Sequence, residues 1–157
     1  MSHTSNSYVM TAHTASAGDM LELETIRTTI KAINKMAAVN DKMNNYILKP
    51  LYGTHAFCGE QHKNLFKLGF LNHNKVLKVY SKTSIAVVCS RWEEPFGRTS
   101  LEAAANGCAV IISNRGGLPE TITDGVILKK LTSHNLFLQI EKLIKDKKER
   151  EKLQILS

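Results

Sequence analysis

The spacing of apolar residues changes character along this chain, and each change predicts an element. Residues 1–17 are polar and aperiodic, rich in Ser, Thr, His and Asn, and are expected to be disordered. From Asp19 to about Leu48 apolar residues recur at helical spacing (Leu23, Ile26, Ile30, Ile33, Ala37), with Asp19 placed as the N-cap and Pro50 ending the run. The stretch to Gln61 reads as a connection. Beyond it, short apolar runs alternate with helical patterns. Residues 65–70 form a strand candidate and residues 72–81 a helix carrying Val76, Leu77 and Tyr80. The runs IAVVC (85–89) and AVII (109–112) are continuously apolar, as strands buried on both faces must be. Residues 98–106 read as a helix stopped by Gly107, and a short helix opens at Pro119. Residues 126–128 form a brief strand, and Ser133 caps a helix that buries Leu136, Phe137, Ile140, Leu143 and Ile144.

Strands apolar on both faces and separated by helices predict a parallel sheet covered on both sides, an α/β Rossmann-like fold preceded by an N-terminal amphipathic helix. The predicted division is a disordered segment (1–17), a helix and connection (18–60), and one α/β unit (61–157). The stripe between residues 19 and 48 also fits a short coiled-coil seam, through which a homodimer could form.

Composition narrows the function classes. No apolar run approaches the roughly 20 residues needed to cross a bilayer, and the start MSHTSNS lacks the charged-then-apolar order of a secretion signal, so a cytoplasmic protein is expected. Three cysteines without CxxC spacing suggest neither a disulfide framework nor a zinc site. The net charge of +7 lies wholly after residue 60, where sixteen Lys/Arg face nine Asp/Glu. Those charges are scattered rather than interleaved with aromatics, which argues against a nucleic-acid partner. The run KDKKEREK (145–152) reads as the solvated face of a last helix, with phosphate-bearing ligands or the inner face of an anionic membrane as the other readings. His55, His62, His73 and His134 sit in separate polar contexts, as surface or capping residues, and no serine lies in a GxSxG elbow.

In a parallel α/β sheet, ligands gather beyond the C-terminal strand ends. The stretch RWEEPFGRTSLEAAANGCAVIISNRGGLPE (91–120) occupies that edge twice. Glu94 precedes Pro95 and is therefore held extended. Gly97 has no Cβ to hinder a ligand approaching the main chain, and the N–H groups of Arg98, Thr99 and Ser100 are expected to be unpaired donors at a positive helix end, suited to a diphosphate. Glu102, one turn on, could accept hydrogen bonds from vicinal hydroxyls. Local chemistry leaves plainer alternatives open. Thr99-Ser-Leu-Glu102 is also a capping box, Glu93 competes with Glu94, Gly116 and Gly117 could simply turn the chain, and Glu120 could favour a helix dipole.

The same residues resemble the donor-binding core of the GT-B glycosyltransferases of the retaining glycosyl transferases group 1. The family's acid, seven residues, acid signature is matched by Glu94-PFGRTSL-Glu102-Ala103, with Pro95 in place of the usual glycine. Its second block is matched by Gly107-Cys-Ala-Val-Ile-Ile and Gly116-Gly-Leu-Pro-Glu120. Leu68-Gly69 upstream, Asp124-Gly125 downstream and the last helices through Asp146, Arg150 and Leu153 extend the likeness over about residues 65–155.

The resemblance implies that residues 61–157 are part of a GT-B C-terminal donor-binding domain. The implied reaction is hexosyl transfer from a nucleotide diphosphate sugar to an acceptor hydroxyl with retention, needing no metal or other cofactor. It assigns Glu94 as the catalytic residue and a contact for sugar hydroxyls, Glu102 to the ribose, and the segment Pro95, Phe96, Gly97, Arg98 and Thr99 to the diphosphate. Family members are usually more than twice as long, with an acceptor-binding domain that residues 1–60 are too few to supply. The family's Arg and Lys phosphate clamp has no match here, with Arg98 the nearest substitute. The resemblance therefore implies a truncated or divergent enzyme. A noncatalytic nucleotide-sugar-binding or regulatory module, and an interaction protein working through residues 19–48, are the readings from other classes.

Overall fold

A computed structural model of the protein describes residues 9–11, 28, 31, 71–91 and 93–156. Strands β1 (Val9–Thr11), β2 (Ile85–Val88), β3 (Ala109–Ser113) and β4 (Val126–Leu128) form one sheet in that order, every neighbouring pair parallel. Ile85 lies opposite Ala109 and Ile111 opposite Val126, so residues of equal parity in β2 and β3 share a face.

That parity builds two separate cores. Ile85, Val87, Ala109, Ile111 and Leu128 point to one face and pack against helices α3 (Ser133–Lys145) and α4 (Lys147–Leu156) through Leu136, Ile140, Leu143 and Leu153. Ala86, Val88, Val110 and Ile112 point to the other face and meet α1 (His73–Tyr80) and α2 (Arg98–Ala105) through Val76, Tyr80, Ala103 and Ala104. A sheet covered on both sides leaves only its strand ends open to ligands.

Local chemistry sets most helix boundaries. Asn72 Oδ1 accepts the Lys75 N–H at 3.0 Å to start α1. The α3 cap is Thr132, one residue before the expected Ser133, because Thr132 Oγ1 is the atom that receives the Asn135 N–H at 3.1 Å. Asp146 separates α3 from α4, its carboxylate taking the Glu149 N–H, while Arg150 Nη1 donates to the Leu143 and Ile144 carbonyls at 2.9 and 3.1 Å. The basic run 145–152 thus spans a helix break, with its lysines on the outside as the sequence suggests.

Two expectations need comment. Residues 9–11, inside the segment expected to be disordered, instead form β1, since three residues suffice to pair with the edge of β2. The helix expected between residues 19 and 48, with its dimer seam, and the strand at 65–70 lie outside the described residues. Thr28 and Lys31 are the exceptions, and both are helical. No described helix is long and apolar enough to cross a membrane.

Cys89 and Cys108 are buried and pack as small apolar groups. Burial pushes the Cys108 thiol up to about 12, and its Sγ reaches the Tyr80 carbonyl at 3.4 Å. A protonated, shielded thiol is a poor nucleophile. Iodoacetamide should therefore leave both cysteines unmodified in the native protein and label both after unfolding in guanidinium. Peptide mapping checks this, and labelling of native Cys108 would show that the layer of α1 and α2 opens.

Candidate functional site

Both glycine corners of the 91–120 stretch stand at the C-terminal ends of β2 and β3, and side chains tie them together. Ser113 Oγ accepts the Ser90 N–H and donates to the Ser90 carbonyl, each at 2.7 Å, so one hydroxyl fastens the two strand ends. Beyond this clasp the Glu93 carboxylate receives Arg115 Nη1 at 3.0 Å and the Gly116 N–H at 2.6 Å. The Gly117 N–H then donates to the Glu94 carbonyl at 2.6 Å. Glu93 is therefore engaged by the second corner and anchors the segment that carries Glu94.

The Arg115 guanidinium and the Gly116 N–H hold the Glu93 carboxyl below its usual value of 4.5. A lowered value means that the ionised form is the one favoured in the fold. The anchor is thus present above the ordinary carboxylate range and is lost as pH falls through the lowered value.

The glycines are required by these contacts. Gly116 has φ +52°, and a Cβ there would overlap the Glu94 main chain. Gly97 has φ +82°, and a Cβ would come within 2.8 Å of Leu118 Cδ2. The sequence reading assigned the missing Cβ of Gly97 to the approach of a ligand. The structure turns that side of the residue inward, against Leu118 and Thr121, so the glycine serves internal packing.

From Gly97, α2 begins without a side-chain cap. The capping-box alternative is excluded, because Thr99 lies inside the helix and Glu102 turns elsewhere. Its Oε1 takes Arg98 Nε at 2.7 Å and lies 3.8 Å from His73 Nδ1 at the start of α1. Among the described residues no partner is found for Glu102 Oε2. Of the three expected N–H donors, Ser100 is spent on the Gly97 carbonyl at 3.1 Å, a turn closed by the left-handed glycine. Those of Arg98 and Thr99 have no acceptor among the described residues. Phe96 is 61% exposed and Pro95 is exposed, so the bend is open rather than covered by side chains. Thr99 is itself buried, so only its main chain faces the helix end.

All seven residues singled out, Glu94, Pro95, Phe96, Gly97, Arg98, Thr99 and Glu102, therefore belong to one loop and the first turn and a half of one helix at one sheet edge. His73 is exposed at the start of α1, as the sequence reading placed it, although nothing local brings it near a carboxylate 29 positions away. The sequence reading missed the pairing of Glu93 with the second corner, which only the parallel register brings within reach.

Known proteins resemble this chain over a stretch that includes this edge. The family model of the glycosyl transferases group 1 matches residues 59–155. Spore coat protein SA of Bacillus subtilis is 34% identical over 86 residues, 55% of this chain and 22% of that protein. The uncharacterized glycosyltransferase MJ1607 of Methanocaldococcus jannaschii is 44% identical over 64 residues, 41% of this chain and 16% of that one. Among solved structures, that of Anabaena Alr3699/HepE in complex with UDP-glucose superposes with a TM-score of 0.71 at 20% identity, covering 98% of this chain and 43% of that one. The chain thus spans less than half the length of these relatives. A sheet edge with this acid spacing, inside a family match that takes in more than half of the chain, makes the protein a member of the glycosyl transferases group 1 family, its parallel α/β Rossmann-like sheet matching part of the fold of those solved relatives.

Proposed function

We propose that this chain supplies the donor-binding half of a retaining glycosyltransferase, which moves a hexosyl group from a nucleotide diphosphate sugar to an acceptor hydroxyl. One observation carries the reading. The open bend at 94–97 offers, at a single strand edge, the Arg98 and Thr99 N–H groups for phosphate oxygens and an uncommitted Glu102 oxygen for a hydroxyl.

In this reading the main chain of Phe96, Gly97, Arg98 and Thr99 holds the diphosphate, Glu102 Oε2 accepts from the ribose, and Glu94 accepts from hydroxyls of the donor sugar. Pro95 keeps Glu94 extended toward the bend. During transfer the bond from the anomeric carbon to the diphosphate oxygen breaks, and one to the acceptor oxygen forms as the acceptor proton leaves. Negative charge gathers on the departing diphosphate. Fixed N–H donors at a helix end stabilise that charge without reorganising, and we assign them the task a metal would otherwise perform. Arg98 adds a cation at the same place, although its Nε is already committed to Glu102. HepE was crystallised with UDP-glucose, so uridine diphosphate is the first nucleotide to try.

A thermal-shift series with UDP, GDP and ADP tests the proposal. A nucleotide at 100 times its dissociation constant stabilises the native state by about 2.7 kcal/mol. One of the three should raise the melting temperature, and Glu102→Ala should abolish the rise. If none of them changes it, the reading fails.

A further inference from the structure

A concavity of about 250 Å3 lies above the C-terminal ends of β2, β3 and β4. Its walls bring together Arg91, Arg115, Lys129 and Lys130 with the Asn114 amide, and among the described residues no Asp or Glu lines it. The cations come from three different strand ends, so the fold and not a local sequence run assembles them.

Each cation has a stated position. Arg91 Nη2 donates to Thr28 Oγ1 at 3.1 Å and to the Leu131 carbonyl at 3.3 Å, which fixes it in the wall. Arg115 gives Nη1 to Glu93 and keeps further donors on the same guanidinium. Lys129 and Lys130 make no ion pair among the described residues. Like charges gathered in a concavity repel one another, and a bound anion removes that cost. The Ser113 hydroxyl is consumed by Ser90, and the Asn114 N–H by the Leu128 carbonyl at 3.1 Å. The donors available to a ligand are therefore cationic side chains and one amide, a set that suits a phosphoryl group.

Its lining separates this concavity from the donor bend, since none of the seven residues singled out there borders it. Leu128 and Leu131 in its wall belong to the core under α3 and α4, whereas α2 covers the other face. A volume of about 250 Å3 has room for a phosphoryl group with a small body.

We propose that this concavity is a second anion site, which takes the phosphomonoester group of a small soluble molecule or of a lipid headgroup. The proposal goes beyond donor binding and does not rest on it. Calorimetric titration of the whole chain at low salt with inorganic phosphate and with glycerol 3-phosphate tests it. Cosedimentation with phosphatidylcholine vesicles, with and without phosphatidic acid, distinguishes the sources. The wild type should bind at least one of the phosphomonoesters. The double variant Lys129→Ala, Lys130→Ala should bind it about tenfold or more weakly, the worth of one charge-assisted hydrogen bond. Saturating UDP should leave this binding in place, and the double variant should still give the wild-type response to UDP. Glycerol 3-phosphate binding without vesicle capture would assign a soluble ligand, and the reverse would assign a lipid headgroup. No binding in any arm, binding that the double variant retains, or displacement of phosphate by UDP overturns the proposal.

Discussion

Gly116→Ala should destabilise the protein by about 3 kcal/mol and abolish nucleotide binding together with it. The first contribution is conformational: at φ +52° an alanine carries a cost of about 1 kcal/mol or more. The second is steric. The atoms that a new Cβ would meet belong to the main chain of Glu93 and Glu94, so relief requires moving the backbone instead of rotating a side chain. That movement breaks the bond from the Gly117 N–H to the Glu94 carbonyl, worth about 1 kcal/mol, and with it the grip of Glu93 on the Gly116 N–H. Urea denaturation measures the first effect and titration with UDP the second. A variant with wild-type midpoint and affinity would show that the bridge between the two corners does not position the donor loop.

The second large effect separates the two acids. Glu94→Ala should weaken binding of the nucleotide sugar by about 10- to 100-fold while leaving the affinity for the free nucleotide diphosphate unchanged, as expected when one charged hydrogen-bonding group is lost. Glu102→Ala should weaken both ligands alike, because the ribose is common to them. The bond from the Gly117 N–H to Glu94 is made to the main-chain carbonyl and survives truncation of the side chain. Stability should change by less than about 1 kcal/mol. Equal losses for both ligands in Glu94→Ala would remove that residue from the sugar. If the isolated chain also turns over a nucleotide sugar, that turnover should disappear in the same variant, and the incompleteness implied by the resemblance would then be wrong.

The dependence of the site on distant pairings explains why it was only partly legible. Glu94, Gly97 and Glu102 could be marked because a proline, a glycine and a helix start surround them within nine positions, and the rules that govern such neighbours are local. Glu93 looked equivalent to Glu94 for the same reason. Its anchors, Arg115 and Gly116, lie 22 and 23 positions away on the next strand's exit loop. The role of Gly97 was misread because the atoms that exclude its Cβ, on Leu118 and Thr121, are likewise remote in sequence. The basic concavity left no trace in the sequence, since its four cations are spread from Arg91 to Lys130 and only parallel pairing of β2, β3 and β4 sets their strand ends side by side.

By itself the sequence determined which segments between residues 71 and 156 become strands and helices, and that the sheet is covered on both sides. Burial acts residue by residue: a run such as Ala109–Ser113, apolar almost throughout, has no face to offer water. It also determined the spacing of two acids around a bend. Tertiary structure decided that the Glu93 carboxylate ties the two corners together, because hydrogen bonds such as those of Glu93 and Ser113 depend on register across the sheet, and apolar periodicity carries no record of register between strands.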